Sequence, residues 1–180
     1  MRRIILAAAL AALCGCGANY EWGSRAPADR RKVSVPTFRN ESGLQEMGAV
    51  ATRQLLREIQ REGSFKIATP GDADIEVQGV VKSVSAGSVA YNRRMIGRFT
   101  GFTMSCDALV TVVDKVSGKV LVTDRPYRAE TTFASGQDLT TAERDASGRL
   151  ADELSRLVVD DLTRLDWGEK GDSNGKEQAK

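Results

Sequence analysis

The 180-residue sequence contains no histidine. This excludes Ser-His-Asp and Cys-His catalytic arrangements, the HExxH metalloprotease site and zinc sites built with histidine. Gly-x-Gly-x-x-Gly, Walker and Gly-x-Ser-x-Gly motifs are also missing. The acidic cluster at residues 72–76 lacks the ligand spacing of a calcium loop. We therefore expect a protein that is not an enzyme and that holds no cofactor and no metal.

An excess of charge of one sign is missing as well. Arg2 and Arg3 lie in a leader that we expect to be removed, which leaves 24 of the 26 basic residues against 24 acidic ones. Nucleic-acid binding draws much of its affinity from Lys and Arg side chains that neutralise phosphates. We therefore expect no nucleic-acid partner, and any anion site must be a local patch.

No apolar run reaches the roughly 20 residues that a membrane-spanning helix requires. The run at 4–13 follows a basic start and has the length of a signal-peptide core. Residues 13–16 (LCGC) resemble a bacterial lipobox. We expect residues 1–15 to be a lipoprotein signal peptide and Cys16 to carry the lipid, palmitate included. Cleavage at an ordinary signal-peptidase site is the alternative.

Cysteine is scarce, with three residues in the chain. Since Cys14 lies in the leader and Cys16 is expected to be acylated, Cys106 has no partner for an intramolecular disulfide. We interpret Cys106 as a small core side chain and not as a reactive thiol. Two or more acyl chains anchor a protein stably. Gly17, in place of Asp at the second mature position, resembles the default sorting signal to the outer membrane, so we expect a lipid-anchored protein on its periplasmic side.

Hydrophobic periodicity predicts one α+β domain at 32–167, between a lipidated tether at 16–31 and a disordered tail at 168–180. The predicted strands are 32–38, 74–86, 99–113 and 120–133, with a short candidate at 64–68, and the predicted helices run from about 42 to 62 and from about 140 to 165. Each element has one apolar side. We expect a two-layer sandwich in the order β-α-β-β-β-α, with a twisted, mostly antiparallel sheet and two amphipathic helices on one of its faces.

Local signals refine these elements. Capping boxes at 42–45 and 140–143 predict the starts of the two helices, and Gly63 is typical of a helix C-terminus. Gly79, next to two valines, predicts a β-bulge. Gly118 predicts positive φ in the turn of a hairpin.

The ordered set of segments resembles the LptE family, the lipopolysaccharide-assembly lipoproteins of the bacterial outer membrane. The segments that carry the likeness are the lipobox at Cys16, 32–40 (KVSVPTFRN), 55–59 (LLREI), 73–79 (ADIEVQG), 114–121 (DKVSGKVL) and the closing amphipathic helix. One feature departs from the family pattern. A Gly-Tyr pair usually follows the lipidated cysteine, whereas Ala18 and Asn19 separate Gly17 from Tyr20 here.

The resemblance implies a non-enzymatic role at the outer membrane. LptE-like proteins lie inside the large β-barrel LptD, plug it, help to assemble it and bind lipopolysaccharide for export to the cell surface. The alternative is a periplasmic lipoprotein of another kind, such as a peptidoglycan-synthase activator or a secretion-channel subunit. Both readings need only a tethered domain with an interaction face.

Candidate lipopolysaccharide contacts lie in the predicted loop at 89–99, which mixes arginines with Tyr, Met, Ile and Phe. Arg93, Arg94 and Arg98 can bind phosphate oxygens while the apolar side chains meet acyl chains or a barrel wall. The turn lysines Lys115 and Lys119 are weaker candidates. A solvated hairpin tip or a plain barrel contact is the alternative for this loop.

A further arginine stripe lies on the first predicted helix. Arg53, Arg57 and Arg61 recur every four residues. We interpret the stripe as a solvated face with intrahelical partners such as Glu58 and Glu62, with a role in partner binding as the alternative.

Overall fold

A computed structural model describes residues 30–88, 101–134 and 139–167. Arg93, Arg94, Arg98, Cys16 and the segment at 168–180 lie outside this part. The elements in chain order are β1 (Lys32–Ser34), β2 (Arg39–Asn40), α1 (Met47–Glu62), β3 (Lys66–Ile67), β4 (Ile75–Ser88), β5 (Gly101–Asp114), β6 (Lys119–Ala134) and α2 (Leu139–Arg164). The expected α+β architecture, with one sheet and two helices, is confirmed.

The sheet is mixed, and its six strands follow the order β3-β1-β4-β5-β6, with β2 paired to β4 off this path. The long strands β4, β5 and β6 pair antiparallel, whereas the short β1, β2 and β3 form parallel pairings of two residues each. Antiparallel pairing therefore dominates, as expected. The short parallel pairings are an addition that the sequence pattern did not indicate.

The core lies between the helices and one face of the sheet. Alternate residues of β5 are buried, and they include Cys106, Ala108 and Val110, each at most 1% exposed. Leu55 of α1 and Leu150 of α2 pack in the same cluster. The predicted inward face of β5 and the predicted stripes of both helices are therefore confirmed. The opposite sheet face carries no helix among the described elements.

The prediction of one strand at 32–38 is wrong, because the chain leaves the sheet after Ser34 and pairs again only at β2. Pro36 cannot donate a ladder hydrogen bond. Phe38 turns inward and is 3% exposed, and its backbone N–H donates to Thr52 Oγ1 of α1 at 2.9 Å. The ring of Phe38 lies directly over Gly79 of β4.

Both predicted capping boxes are wrong. Helix α1 begins at Met47, and its N-cap Glu46 makes no side-chain cap hydrogen bond. The Ser42 hydroxyl instead donates to Asn40 Oδ1 at 2.7 Å, and Asn40 Nδ2 donates to Leu44 O at 2.8 Å, which closes the preceding loop. Thr140 lies inside α2 and is not its cap.

The predicted cap and turn glycines are confirmed, and the predicted β-bulge is present but displaced from Gly79. Gly63 ends α1 with φ of 85°, and its N–H donates to Ile59 O at 3.2 Å. Gly118 has φ of 71° in the β5–β6 turn. The predicted β-bulge is present, but it lies between Val81 and Ser83, directly after the valine pair, and not at Gly79, which the Phe38 ring keeps free of a side chain.

Candidate functional site

The sheet has two ends, which the antiparallel strands place far apart. At the turn end, Ile75 of β4 pairs with Asp114 of β5, and Asp114 pairs with Lys119 of β6. At the loop end, β4 finishes at Ser88 and β5 begins at Gly101. Since β5 has 14 residues, these ends lie roughly 40 Å apart at about 3.3 Å per residue.

The chain enters the described domain at the turn end, where Arg30 meets Asp114. The Arg30 Nε atom lies 3.0 Å from Asp114 Oδ2, and the Asp114 side chain is 2% exposed. Asp114 also accepts hydrogen bonds from the Val116 N–H at 2.9 Å and from the Ser117 hydroxyl at 2.6 Å. One carboxylate therefore joins the entering chain to the β5–β6 turn.

Burial and hydrogen bonding act on the pKa of Asp114 in opposite directions. Desolvation raises this pKa, but the bonds from Ser117 and Val116 and the nearby Arg30 charge together lower it below the ordinary value of 3.8. A lowered pKa in the folded state means that the ionised carboxylate stabilises the fold. This contribution is present above the unfolded-state pKa and disappears as pH falls through the lower folded-state pKa.

We expect Asp114→Asn to lower the free energy of unfolding by about 3 kcal/mol at pH 7, because removing one charge of a buried pair leaves the other without compensation. Urea unfolding of both chains from pH 7 to pH 2 measures this difference. The difference should narrow as the pH falls below the unfolded-state pKa of about 3.9, and it should disappear below the lower folded-state pKa, because the wild-type carboxylate then carries no charge in either state. A difference that stays constant with pH would show that the charge of Asp114 does not matter.

Lys115 and Lys119 lie at the turn end and are exposed. Lys115 Nζ donates to Pro70 O and lies 3.7 Å from Glu76 Oε2, and the Lys115 N–H donates to Asp74 O at 2.8 Å. Arg93, Arg94 and Arg98 are outside the described residues, and the strand ends that flank them belong to the loop end. The strand ends that border residues 89–100 therefore lie at the opposite end of the sheet from Lys115 and Lys119.

A groove of about 450 Å³ separates the first turns of α1 and α2. Leu44, Met47 and Val50 line one side, and Arg144 and Ser147 line the other. The groove continues into a second hollow of about 300 Å³, where α1 and α2 face each other further along. Sequence reasoning did not find this groove, because its two walls are almost 100 residues apart along the chain.

The arginines of the α1 stripe divide between this groove and the solvent. Arg53 and Arg57 line the second hollow together with Arg144. Arg57 Nη1 donates to Gln54 Oε1 at 3.1 Å, whereas Arg61 pairs with Glu58 at 2.5 Å. The expected intrahelical partner of Arg61 is confirmed. Three guanidinium groups therefore lie along the groove together with the carboxylates of Glu46 and Glu143, while Leu44, Met47 and Val50 supply its apolar part.

The outward face of the sheet is polar over its half nearest the loop end. Ser85 and Ser105 share a hydrogen bond of 2.9 Å, and Asp107 accepts from Ser83 at 2.8 Å and from Arg128 at 3.0 Å. Neighbouring strands thus satisfy each other's side chains without a covering helix. Such a face can remain in water or meet another polar wall.

Cys106 is a core residue in the structure. Its side chain is fully buried, and burial, followed by the Asp107 charge, raises the pKa of the thiol to about 11. The structural interpretation of Cys106 therefore fits its surroundings. Within residues 30–88, 101–134 and 139–167, no group of three acidic or cysteine side chains is placed to hold a metal ion, and no helix has the length and apolar character needed to cross a bilayer.

Solved structures similar to this chain include three bacterial proteins. A Helicobacter pylori homologue of neuraminyllactose-binding hemagglutinin is 11% identical, with a TM-score of 0.50, over 82% of this chain and 93% of its own. A minor lipoprotein from Acinetobacter baumannii is 13% identical, with a TM-score of 0.48, over 74% and 93%. The Chlamydia trachomatis protein CT253 is 11% identical, with a TM-score of 0.49, over 74% and 96%. At 11% identity, the likeness to the Helicobacter pylori protein concerns the fold alone.

The sequence comparisons are more specific. No curated protein sequence matches the chain. The family model LptE, described as lipopolysaccharide-assembly, matches residues 30–162, which is most of the chain and nearly all of the described domain. The chain belongs to the LptE lipopolysaccharide-assembly family.

Proposed function

We propose that this protein is a non-enzymatic lipoprotein, anchored to the outer membrane by a lipid on Cys16, that plugs an LptD-like β-barrel, helps to assemble it and binds lipopolysaccharide during export. The polar outward face of the sheet is the observation that carries the plug. The lumen of an outer-membrane barrel is polar. A sheet face built from hydroxyl, carboxylate and guanidinium groups can therefore pack against the lumen wall without exposing an apolar surface to water.

Lipopolysaccharide binding is proposed for Arg93, Arg94 and Arg98, because guanidinium groups bind the phosphates of lipid A in pairs of hydrogen bonds. The groove between the helices is lined by Arg53 and Arg144, and Glu46 and Glu143 beside them offset part of that positive charge. The groove between α1 and α2 lies toward the loop end of the sheet, because the first turn of α2 follows the last residues of β6. The strand ends that border residues 89–100 lie at this same end. Lys115 and Lys119, on the opposite end, are left out of this site.

Purification of the acylated protein from native membranes in mild detergent tests the proposal. We expect a large outer-membrane barrel in equal amount and bound lipopolysaccharide. In the Arg93→Glu/Arg94→Glu chain we expect the barrel to remain and the affinity for lipopolysaccharide to fall at least tenfold, because each charge-assisted hydrogen bond contributes about 1.5–3 kcal/mol.

Arg156→Glu/Arg164→Glu is the matched control. It makes the same change in charge on exposed positions of α2 that pair with Asp152 and Asp160. Recovery of a peptidoglycan synthase or of a ring of identical chains, in place of a barrel, would favour the alternative lipoprotein functions. Unchanged lipopolysaccharide affinity in the double variant would remove the arginines from the site.

A further inference from the structure

The outward face of the sheet carries apolar side chains over its half nearest the turn end, unlike the polar half beside the loop end. In β5, Leu109 and Val113 alternate with the buried Val110 and Val112, so they point away from the helices. The register continues these two positions into rows that cross the neighbouring strands. We call the two rows the outward apolar patch, which consists of Val80, Leu109, Val113, Val120 and Pro126.

The polar side chains between the two rows are bonded to each other, whereas the patch is left open. Thr111 Oγ1 donates to Asp124 Oδ1 at 3.2 Å and accepts from the Asp124 N–H at 3.1 Å. Val120 is 54% exposed, and both described helices pack on the opposite face of the sheet. A polar barrel lumen suits the polar half of the outward face but not this half. An apolar cover would therefore stabilise the patch.

The size of the patch limits what can cover it. Two strand spacings of about 4.8 Å and four residues of about 3.4 Å make it roughly 10 Å by 14 Å between backbone positions. A stable protein–protein interface buries about 800 Å² on each partner, which is several times this area. Aromatic side chains bury about 150–250 Å² each, so one or two of them match the patch.

The chain enters the domain beside the patch. Arg30 Nε lies 3.0 Å from Asp114 Oδ2, and Asp114 directly follows Val113 in β5. The segment at 16–29 (CGANYEWGSRAPAD) is therefore attached at the border of the patch. Attachment of this kind raises the local concentration of the segment to about millimolar, so that a small apolar contact is sufficient to hold it.

This segment contains two aromatic residues whose spacing suits a single surface. Tyr20 and Trp22 are two residues apart, and the polar Asn19 and Glu21 occupy the alternate positions. An extended chain places residues i and i+2 on the same side. Residues 23–29 include glycine, serine and proline, which are typical of a reversal of chain direction. The eight steps from Trp22 to Arg30 span up to about 26 Å, so both rings can reach the patch.

We propose that the segment at 16–29 folds back over the outward face of the sheet and covers the outward apolar patch with the rings of Tyr20 and Trp22. The polar half of the face stays free for the wall of a barrel. With Trp22 held on the sheet, the lipid on Cys16 lies within about 20 Å of the patch, which keeps the domain close to the membrane that the proposed barrel spans. This consequence rests on the lipid anchor of the proposed function, whereas the docking of the segment does not.

A photo-crosslinking residue, p-benzoylphenylalanine, in place of Val120 in the full acylated chain tests the proposal. The matched control places the same residue at Thr132, in the polar half of the outward face. Both positions are exposed and lie on β6. The chains are illuminated in native membranes and again after purification in mild detergent, and the products are digested with trypsin.

We expect position 120 to cross-link to the tryptic peptide of the same chain that ends at Arg25, and position 132 not to do so. The undigested product should have the mobility of a single chain. Tyr20→Ser/Trp22→Ser should lower the yield by a factor of about ten, because the two rings supply the apolar contact. Asn19→Ser/Glu21→Ser changes the polar positions of the same segment and should leave the yield unchanged.

The mass of the cross-linked product identifies what covers the patch. A product with a second copy of the chain, with a barrel protein or with phospholipid, in place of the peptide that ends at Arg25, would overturn the proposal. Phospholipid would show that the aromatic residues lie at the bilayer interface, where Trp and Tyr are enriched. Equal yields from positions 120 and 132, or a yield that Tyr20→Ser/Trp22→Ser leaves unchanged, would overturn it as well.

The detergent sample separates this inference from the proposed function. The expected cross-link forms within one chain, so it should persist after any barrel has been removed. Its absence from both samples, while a barrel is still recovered with the protein, would overturn the docking of the segment and leave the plug in place. Its presence in a protein that brings down no barrel would support the docking and contradict the plug.

Discussion

Gly79→Ala is expected to lower the free energy of unfolding by about 3 kcal/mol and the melting temperature by about 10 °C. A methyl group at this position of β4 would overlap the Cδ2, Cε2 and Cζ atoms of the Phe38 ring. Phe38 is 3% exposed and lies in the core, so the ring has no solvent into which to rotate. Overpacking of this kind shifts the backbone or forces side chains out of their preferred rotamers.

Phe38 cannot relieve the overlap by moving its backbone. Its N–H donates to Thr52 Oγ1 at 2.9 Å, and the same hydroxyl donates to Gly48 O at 2.8 Å. A Cβ at Gly48 would itself lie 2.5 Å from Phe38 O, which shows how closely α1 approaches this segment. Two glycines on opposite sides therefore fix the position of the same residue.

Thermal and urea unfolding of Gly79→Ala measure the effect, with Gly87→Ala as the control in the same strand. A Cβ at Gly87 would meet nothing within 4 Å, so we expect that variant to stay within about 0.5 kcal/mol of the wild type. The double variant Phe38→Leu/Gly79→Ala should lose less free energy of unfolding than the sum of the losses in the two single variants. The reason is that the smaller leucine side chain leaves room for the methyl group at position 79. Additive costs would show that the two residues do not interact.

The contact between Phe38 and Gly79 shows where prediction from the sequence ends. The alternation in β5 and the periodicity of the helices identify the buried faces, because each pattern is local and repeats over many residues. A glycine in a strand, in contrast, is compatible with a bulge or with the close approach of another group. Only the tertiary structure decides between the two, and it places the bulge beyond Val81.

The turn end was predictable in part. The segment at 114–119 has the composition of a charged turn, and its Asp and Ser are typical of side chains that bond to nearby N–H groups. The position of Lys32 and Lys66 beside this turn was not predictable, since it depends on parallel pairings of two residues. The ion pair of Arg30 with Asp114 joins residues far apart in sequence and leaves no local pattern.

Cys16→Ser is expected to remove essentially all of the protein from the membrane fraction. A single acyl chain binds bilayers with a constant of only about 10⁴ M⁻¹, and stable anchoring needs at least two anchoring signals. No helix in the described part of the chain is long and apolar enough to cross a bilayer and replace the acyl chains as an anchor. The loss from the membrane fraction is measured by fractionating cells after the membranes are washed in high salt. The mass of the N-terminal peptide is the second readout.

Cys14→Ser is the matched control, because it changes the neighbouring thiol and keeps a small residue at that position of the lipobox. We expect it to stay in the membrane fraction with an acylated N-terminal peptide, whereas Cys16→Ser should be recovered in the soluble fraction without that added mass. Retention of Cys16→Ser after the salt wash, with an N-terminal peptide that begins beyond the leader, would mean that a protein partner holds the chain at the membrane, whereas an N-terminal peptide that still contains residues 4–13 would mean that the uncleaved leader holds it. An N-terminal peptide of the wild type that begins at another residue would instead favour ordinary signal-peptidase cleavage. The two results therefore separate an anchor made of lipid from an anchor made of protein.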